Sequence, residues 1–389
     1  MEWIELPIKK TGDIVTGNTP SRSEEKYYGG NIPWIKPEDL DTDFYIKTSS
    51  EYLTEDGAKK ARLLPENSIL VSCIGNIGKM AIAGCQLATN QQINSVVPKD
   101  EYDPVFLAHS IKYSLSNEKN INIALVSILN GGDFGKVKVR LPKTKNDQKR
   151  LGILIQNKLV KIEQMRQAAL KQKEAVEALQ GALLREVFPF KEGDELPKGW
   201  KWEKLDKIFE EVKNQVQPYE DEFKTLPFIG LENVVSHTRE YTDEEYNPPS
   251  STCFKFDETN ILYGKLRPYL NKVYLPTGKG KSSMELIPLK TKNNYSREFL
   301  AAVLQSEAVI GDTVKFSTGG RMPRADLKKL KKLEVAIPSD VSKCNELGIT
   351  VSNKIKEFID LNKKALTQLE AIEALPAAIL REVFEFNKN

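Results

Sequence analysis

Histidine is nearly missing from this chain of 389 residues: there are two, His109 and His237, beside four scattered cysteines, Cys73, Cys85, Cys253 and Cys344. No CxxC pair exists to begin a zinc site, no metal ligand set is expected, and a histidine-based catalytic triad has little material. Reduced, mostly buried thiols are expected instead. Long apolar runs are lacking too. No window approaches the ~18 uncharged residues a membrane span needs, and the opening MEWIELPIKKTGD has no apolar run of signal-peptide length. The expectation is a cytoplasmic protein with no membrane attachment. An excess of one charge is also lacking, with 57 Lys and Arg against 54 Asp and Glu. The net +3 therefore does not by itself point to nucleic acid or to an acidic substrate.

Signatures of catalysis are incomplete in the same way. Asn247-Pro248-Pro249-Ser250 is similar to the motif with which amino-methyltransferases hold a flipped adenine, but Ser stands where a stacking aromatic is needed. No glycine-rich loop after a strand offers a nucleotide or methyl-donor site, so no cofactor is expected. Asp133-Phe134-Gly135 spells a kinase tripeptide without the other kinase motifs and reads as a turn. Gly75-x-x-Gly78-Lys79 lacks the spacing of a phosphate-binding loop. A stand-alone DNA adenine methyltransferase is thus one alternative and a coiled-coil scaffold unrelated to DNA another.

What the chain does have is a long internal repeat. VEALQGALLREVF (176–188) returns as IEALPAAILREVF (372–384), and the offset of 196 residues holds without a gap from Leu141 to Phe190, with 21 of 50 aligned positions identical. Apolar residues recur every seven in each copy: Ile155, Ile162, Ala169, Val176 and Leu183 in the first, and Val351, Phe358, Ala365, Ile372 and Ile379 in the second. That spacing is a coiled-coil seam. A companion stripe is expected at Leu159, Met165 and Leu179, matched by Ile355, Leu361 and Leu375, with Gln172 and Gln368 as its polar members. Gly181 and Pro376 should kink or break the helices, leaving short terminal helices that fold back. A helix over about 145–180 would span roughly 50 Å.

The repeat divides the chain into a domain over 1–143, a helix over 144–188, a second domain over 189–338 and a final helix over 339–389. Short β-branched and aromatic runs dominate both domains, such as IPWI, SILVSCIG, INSVVP, NILYGKL and MELIPL, with helical patches at 104–115 and 297–310. The expected class is α+β: two domains with irregular twisted sheets, separated by two long helices that share a coiled-coil seam. The domains echo one another faintly, each opening with a Trp and Leu pair, Trp3/Leu6 and Trp202/Leu205. Trp34, inside IPWI, reads as core. Charge is concentrated locally. Residues 259–284 carry five basic residues and no acid, 315–332 carry seven against Asp326, and 136–150 carry seven against Asp147. Such clusters can neutralise phosphates while arginine forks or Asn and Gln amides read base edges.

These features converge on a resemblance over essentially the whole chain to the specificity subunits of Type I restriction-modification systems. TGNTPSRSEEKYYGGNIPWIKPEDL (16–40), ILVSCIGNIGKMAI (69–82) and NQQINSVVP (90–98) resemble the segments of a target-recognition domain, and LPKGWKWEKL (196–205) resembles the start of a second. The helical repeats resemble the family's spacers, and this likeness implies that the two helices form an antiparallel coiled coil in a pseudo-twofold, circular arrangement. One departure is that NGGDFGKVKVRLP in the first domain is shorter than STGGRMPRADLKKLKKLEVAIP in the second. The resemblance implies a non-catalytic subunit whose two domains each bind half of an asymmetric, split target in double-stranded DNA. The helices would fix the gap and dock two methyltransferase subunits, with restriction subunits joining them. The DNA-contact residues so expected are Ser21, Arg22, Tyr27, Lys36, Asn76, Lys79, Asn90 and Gln91 in the first domain, and Lys265, Arg267, Tyr269, Lys281, Arg321 and Arg324 in the second.

Overall fold

Strands that are buried on both faces organise each half of the computed structural model, which describes residues 1–40, 44–75, 77–116, 128–242 and 250–385. The chain separates into two units, Met1–Gln167 with Glu370–Asn389, and Ala168–Leu369. Each long helix, Lys145–Val187 and Val341–Glu385, therefore contributes a part to both.

In the first unit a central sheet runs in the order Gly12–Thr16, Ile93–Pro98, Ile69–Ser72, Met80–Ala83, Tyr45–Ile46. Its side chains alternate. Ile69, Val71, Ile82 and Val96 pack on Phe106, Leu107 and Ile111 of the helix Pro104–Ser116, while Leu70, Ala81, Ala83 and Ile93 meet Ile35, Leu64 and Leu87 of a second sheet. In that second sheet Trp34 and Ile35 run parallel to Ala88 and Thr89, and Trp34 is 1% exposed, as its place in IPWI suggests. The N-terminal strand Trp3–Pro7 pairs antiparallel with Lys138–Pro142.

The second unit repeats the frame. Its central sheet orders Phe209–Glu211, Leu286–Thr291, Ile261–Gly264 and Val273–Tyr274, backed by the helices Arg297–Leu304 and Glu307–Lys315. Phe228 and Ile229 run parallel to Lys281 and Ser282, in the place of Trp34–Ile35 on Ala88–Thr89. The mixture of sheets and helices is α+β. The tryptophan echo needs shifting by two residues: Trp3 faces Pro142 and Trp200 faces Pro338, whereas Trp202 faces Ala336. Asp133-Phe134-Gly135 is no turn but part of a helix, Gly131–Lys136, with Phe134 fully buried.

Neither long helix breaks. Lys145–Val187 runs through Gly181, and Val341–Glu385 runs through Pro376. An interior proline costs about 3 kcal/mol. Beyond it, Leu380, Val383 and Phe384 are buried in the core of the first unit, each burial contributing roughly 1.5–3 kcal/mol. Phe384 packs on Trp3, Phe106 and Tyr113 with ring centroids 6.1, 5.3 and 4.9 Å away. The lost hydrogen bond is outweighed. The first copy of the phrase does the matching task in the second unit, where Leu184 is buried with Val351, Ile355 and Ala302 and Phe188 packs on Phe299.

The helix segments pair antiparallel within the first unit, where Lys158 meets Glu382 at 3.1 Å and Arg166 meets Glu373 at 3.4 Å. Of the expected seam, Ile155, Ile162, Ala169, Val351, Ala365 and Ile372 are buried, and Val176, Leu183, Phe358 and Ile379 are half-buried. The companion stripe differs. Met165, Leu179, Leu361 and Leu375 are exposed, and so are Gln172 and Gln368. The covered companions lie four residues after the seam throughout, at Leu159, Arg166, Lys173 and Gln180 and at Ile355, Asn362, Leu369 and Pro376. Among the described residues no helix is long and apolar enough to cross a membrane.

Candidate nucleic-acid interface

Two basic stretches of the second unit are stitched together by backbone hydrogen bonds between residues more than fifty positions apart in sequence. Arg267 N donates to Pro323 O at 2.7 Å and Ala325 N to Lys265 O at 2.8 Å, while Arg324 and Thr318 exchange bonds of 2.8 and 3.0 Å across a tight hairpin. Arg267 and Asn271 both have left-handed backbones, φ 50° and 46°, and bracket the turn Pro268–Leu270. Left-handed non-glycine residues cost energy that the surroundings must supply, and they concentrate where function demands a fixed shape. Here they set Tyr269 out at 46% exposure.

The cations gathered there are not equivalent. Arg324 is held at 3.0 Å by Glu285, whose other oxygen lies 3.8 Å from Lys265, making a Lys265–Glu285–Arg324 triad. Arg267 and Arg321 are exposed, and among the described residues neither forms an ion pair. Free guanidinium groups beside an exposed tyrosine suit phosphates and base edges. Lys281 is elsewhere. It is 4% exposed, its Nζ donates to the carbonyls of Phe223 and Leu226, and it lies 4.4 Å from the Phe223 ring centroid. Burial pushes its pKa below the ordinary lysine value. This ammonium has no path to a duplex, which removes Lys281 from the expected contacts.

In the first unit the expected residues form two groups. Around the strand Tyr28–Ile35, Arg22 stacks 4.6 Å from Tyr28 and 4.9 Å from Trp34 and pairs with Glu51 at 2.9 Å. Lys36 reaches Glu38 at 3.0 Å and Glu51 at 3.5 Å, and the bond to Glu38 raises its pKa. Ser21 shares a hydrogen bond with Ser23, and Tyr27 lies beneath Lys26. The second group surrounds the loop after Ser72. Gly75 and Gly78 have φ of 70° and 93°, so that loop needs glycine twice; Lys79 follows, and Asn76 lies outside the described residues. Gln91 is exposed and accepts a bond from Thr19 Oγ1. Asn90 is 6% exposed and spends both ends of its amide on Gln92, donating to the Oε1 and accepting from the backbone N. It shapes the turn and is not available to read a base.

The basic run at 136–150 is also a correction. Lys136 pairs with Asp133, Lys138 with Glu5, Lys143 with Glu2 and Arg150 with Asp147, while Arg140 donates to Phe384 O and stacks 5.2 Å from Trp3. It lies on a strand and a helix start and holds the fold. Sequence reasoning missed the acids Glu51 and Glu285 that orient these cations, because each is far in sequence from its partner. Among the described residues no group of three or more His, Cys, Asp or Glu could hold a metal ion, and Asn247-Pro248-Pro249 lies outside the described residues.

Residues 2–172 match the family described as Type I restriction modification DNA specificity domain. The chain is 27% identical over 290 residues to the Type I restriction enzyme MjaIX specificity subunit of Methanocaldococcus jannaschii, covering 68% of this chain and 66% of that one. It is 31% identical over 166 residues to the HindI specificity subunit of Haemophilus influenzae, covering 41% and 35%. The matches thus span just under two thirds and about a third of those relatives. The fold agrees with a chain solved in work on complex assembly and conformational transition of the type I R-M system, with a TM-score of 0.76 at 14% identity over 98% of this chain and 97% of that one. It also agrees with the HsdS subunit from Thermoanaerobacter tengcongensis, with a TM-score of 0.60 at 16% identity over 98% and 96%. The sequence of the first domain thus matches the Type I specificity-domain family, and the fold over both units is like that of the solved type I chains.

Proposed function

We propose that the chain is a Type I restriction-modification specificity subunit, each domain of which reads one half of an asymmetric, bipartite target in double-stranded DNA. In the second domain the readers are Lys265, Arg267, Tyr269, Arg321 and Arg324. In the first they are Ser21, Arg22, Tyr27, Lys36, Asn76, Lys79 and Gln91. The observation that carries this is the stitched loop pair of the second unit, which presents Arg267 and Tyr269 on a hydrogen-bonded turn beside a hairpin carrying the exposed Arg321, neither arginine in an ion pair among the described residues, within a frame that recurs in the first unit. The chain itself is not an enzyme. The long helices hold the unread gap constant, and their outer faces dock two methyltransferase subunits, which restriction subunits then join. In support, apolar side chains are exposed at duplicated positions of the two helices: Ile153 and Ile349, Met165 and Leu361, Leu179 and Leu375. The subunit works in the cytoplasm, where its DNA is.

Mapping methylated adenines in host genomes with and without the gene tests the reading. A split motif that disappears with the gene is expected; a methylation-proficient host with no such motif overturns it.

A further inference from the structure

Three positions that no constant sequence offset aligns occupy the same backbone places in the two units. Cys73 N donates to Gln92 O and Cys73 O accepts from Leu129 N, at 2.9 and 2.8 Å; Lys265 N donates to Glu285 O and Lys265 O accepts from Ala325 N, at the same distances. One residue earlier, Ile128 bridges Ile74 as Arg324 bridges Leu266. Asn130 and Asp326, one residue later, each cap a short helix. The charged triad Lys265–Glu285–Arg324 therefore corresponds to Cys73–Gln92–Ile128, which carries no charge.

Ile128 is 55% exposed, yet its backbone is anchored on both sides of the peptide that follows. Leu129 is 3% exposed, its N bound to Cys73 O and its carbonyl accepting from Asn94 Nδ2 at 2.9 Å, while Asn94 in turn accepts from Thr16 Oγ1 at 2.6 Å. A hydrogen-bonded mount thus holds the methyl and ethyl branches of an isoleucine out at the backbone place where the other unit has an arginine. An isoleucine can make no hydrogen bond to a base edge. The apolar feature that the major groove offers is the thymine C5-methyl, and apolar side chains discriminate by touching it.

Resting on the function proposed above, we infer that Ile128 reads the C5-methyl group of a thymine in the half-site of the first domain, where the second domain places Arg324. The two half-sites differ chemically at this equivalent position: a methyl is read in one, and hydrogen-bond acceptors face a guanidinium in the other.

The test uses the full chain assembled with its host methyltransferase subunits and duplexes carrying the target found by methylation mapping. Each thymine of the first half-site, on either strand, is replaced in turn by deoxyuridine, which removes the methyl and nothing else. One replacement is expected to weaken binding about fourfold, the fold-change for one lost methyl contact. Ile128→Ala is expected to weaken binding to the thymine duplex by a similar factor and to be indifferent to that one deoxyuridine. Ile128→Val, which keeps a β-branch, should retain most of the thymine preference. Full additivity of Ile128→Ala with every deoxyuridine replacement overturns the assignment, as does a first half-site without thymine on either strand. If the unaltered assembly binds no bipartite duplex, the function proposed above falls as well; if it binds and only the coupling is missing, Ile128 alone is reassigned.

Discussion

Lys281 and Arg267 come from one acid-free stretch of sequence, and the fold sends them to opposite fates. Lys281 spans two carbonyls inside the second unit, so Lys281→Met should cost about 1–3 kcal/mol by leaving them unpaired, measurable as a lower urea midpoint with no change in the DNA sequence preferred. Arg267→Ala should do the reverse, leaving the midpoint in place while weakening DNA binding and reducing the salt slope by about one. Equal destabilisation by both changes would contradict these placements. Sequence alone could not separate the two, because burial of a lysine is decided by which carbonyls the second sheet brings to it. His109 is another buried polar residue, stacked 5.1 Å from Phe44 and 2% exposed. Burial lowers its pKa from 6.5 to about 4. The unfolded chain binds the proton first as pH falls, so stability from this group is complete above about 6.5 and declines toward pH 4, by up to ~3 kcal/mol. His109→Phe should lose less stability than the unaltered protein between pH 7 and 4.5, read from urea midpoints; identical losses would sink the assignment.

The helix repeat was legible from spacing because burial follows the seven-residue period at Ile155, Ile162 and Ala169 and at Val351, Ala365 and Ile372. The companion row was not, for a physical reason. Four residues on from the seam stand Arg166, Lys173 and Gln180, half-buried polar residues whose stems cover it, and Asn362, whose amide oxygen is buried, so hydrophobicity pointed instead to the exposed Met165 and Leu361. Changing Met165 and Leu361 together to Ala should leave thermal stability within about 0.5 kcal/mol. The same pair should weaken assembly with the methyltransferase subunits; undiminished assembly in a titration would remove this face from the docking surface. Pro376 misled in the other direction, since the pattern shows the breaker but not the aromatic core awaiting Phe384 beyond it. Pro376→Ala restores an amide donor within a continuous helix and should raise stability by roughly 1–3 kcal/mol. A fall in melting temperature would show that the ring itself is needed in the packing.

At the scale of the whole molecule, the proposed function assigns spacing to the duplicated helices and reading to the unlike domains. The first unit closes by taking the last turns of the chain, Leu380 to Phe384, into its own core, and the second takes Leu184 and Val187 in the same manner. Each helix is therefore anchored by burial at both ends. If these rods set the gap in the target, a change of length must be read out in base pairs. Adding to one helix alone would throw the antiparallel register of Lys158–Glu382 and Arg166–Glu373 out of step with the rest of the seam. A heptad added to both, after Gln172 in one and before Gln368 in the other, keeps every seam residue in phase. Seven residues lengthen a helix by about 10 Å, the rise of about three base pairs. The methylated motif of cells carrying that variant should keep both half-sites and gain a gap about three base pairs longer, provided the assembly still folds, which its melting temperature reports. Altered half-sites with the old gap would show that the helices position the domains in some other way, and that spacing is set within the domains themselves.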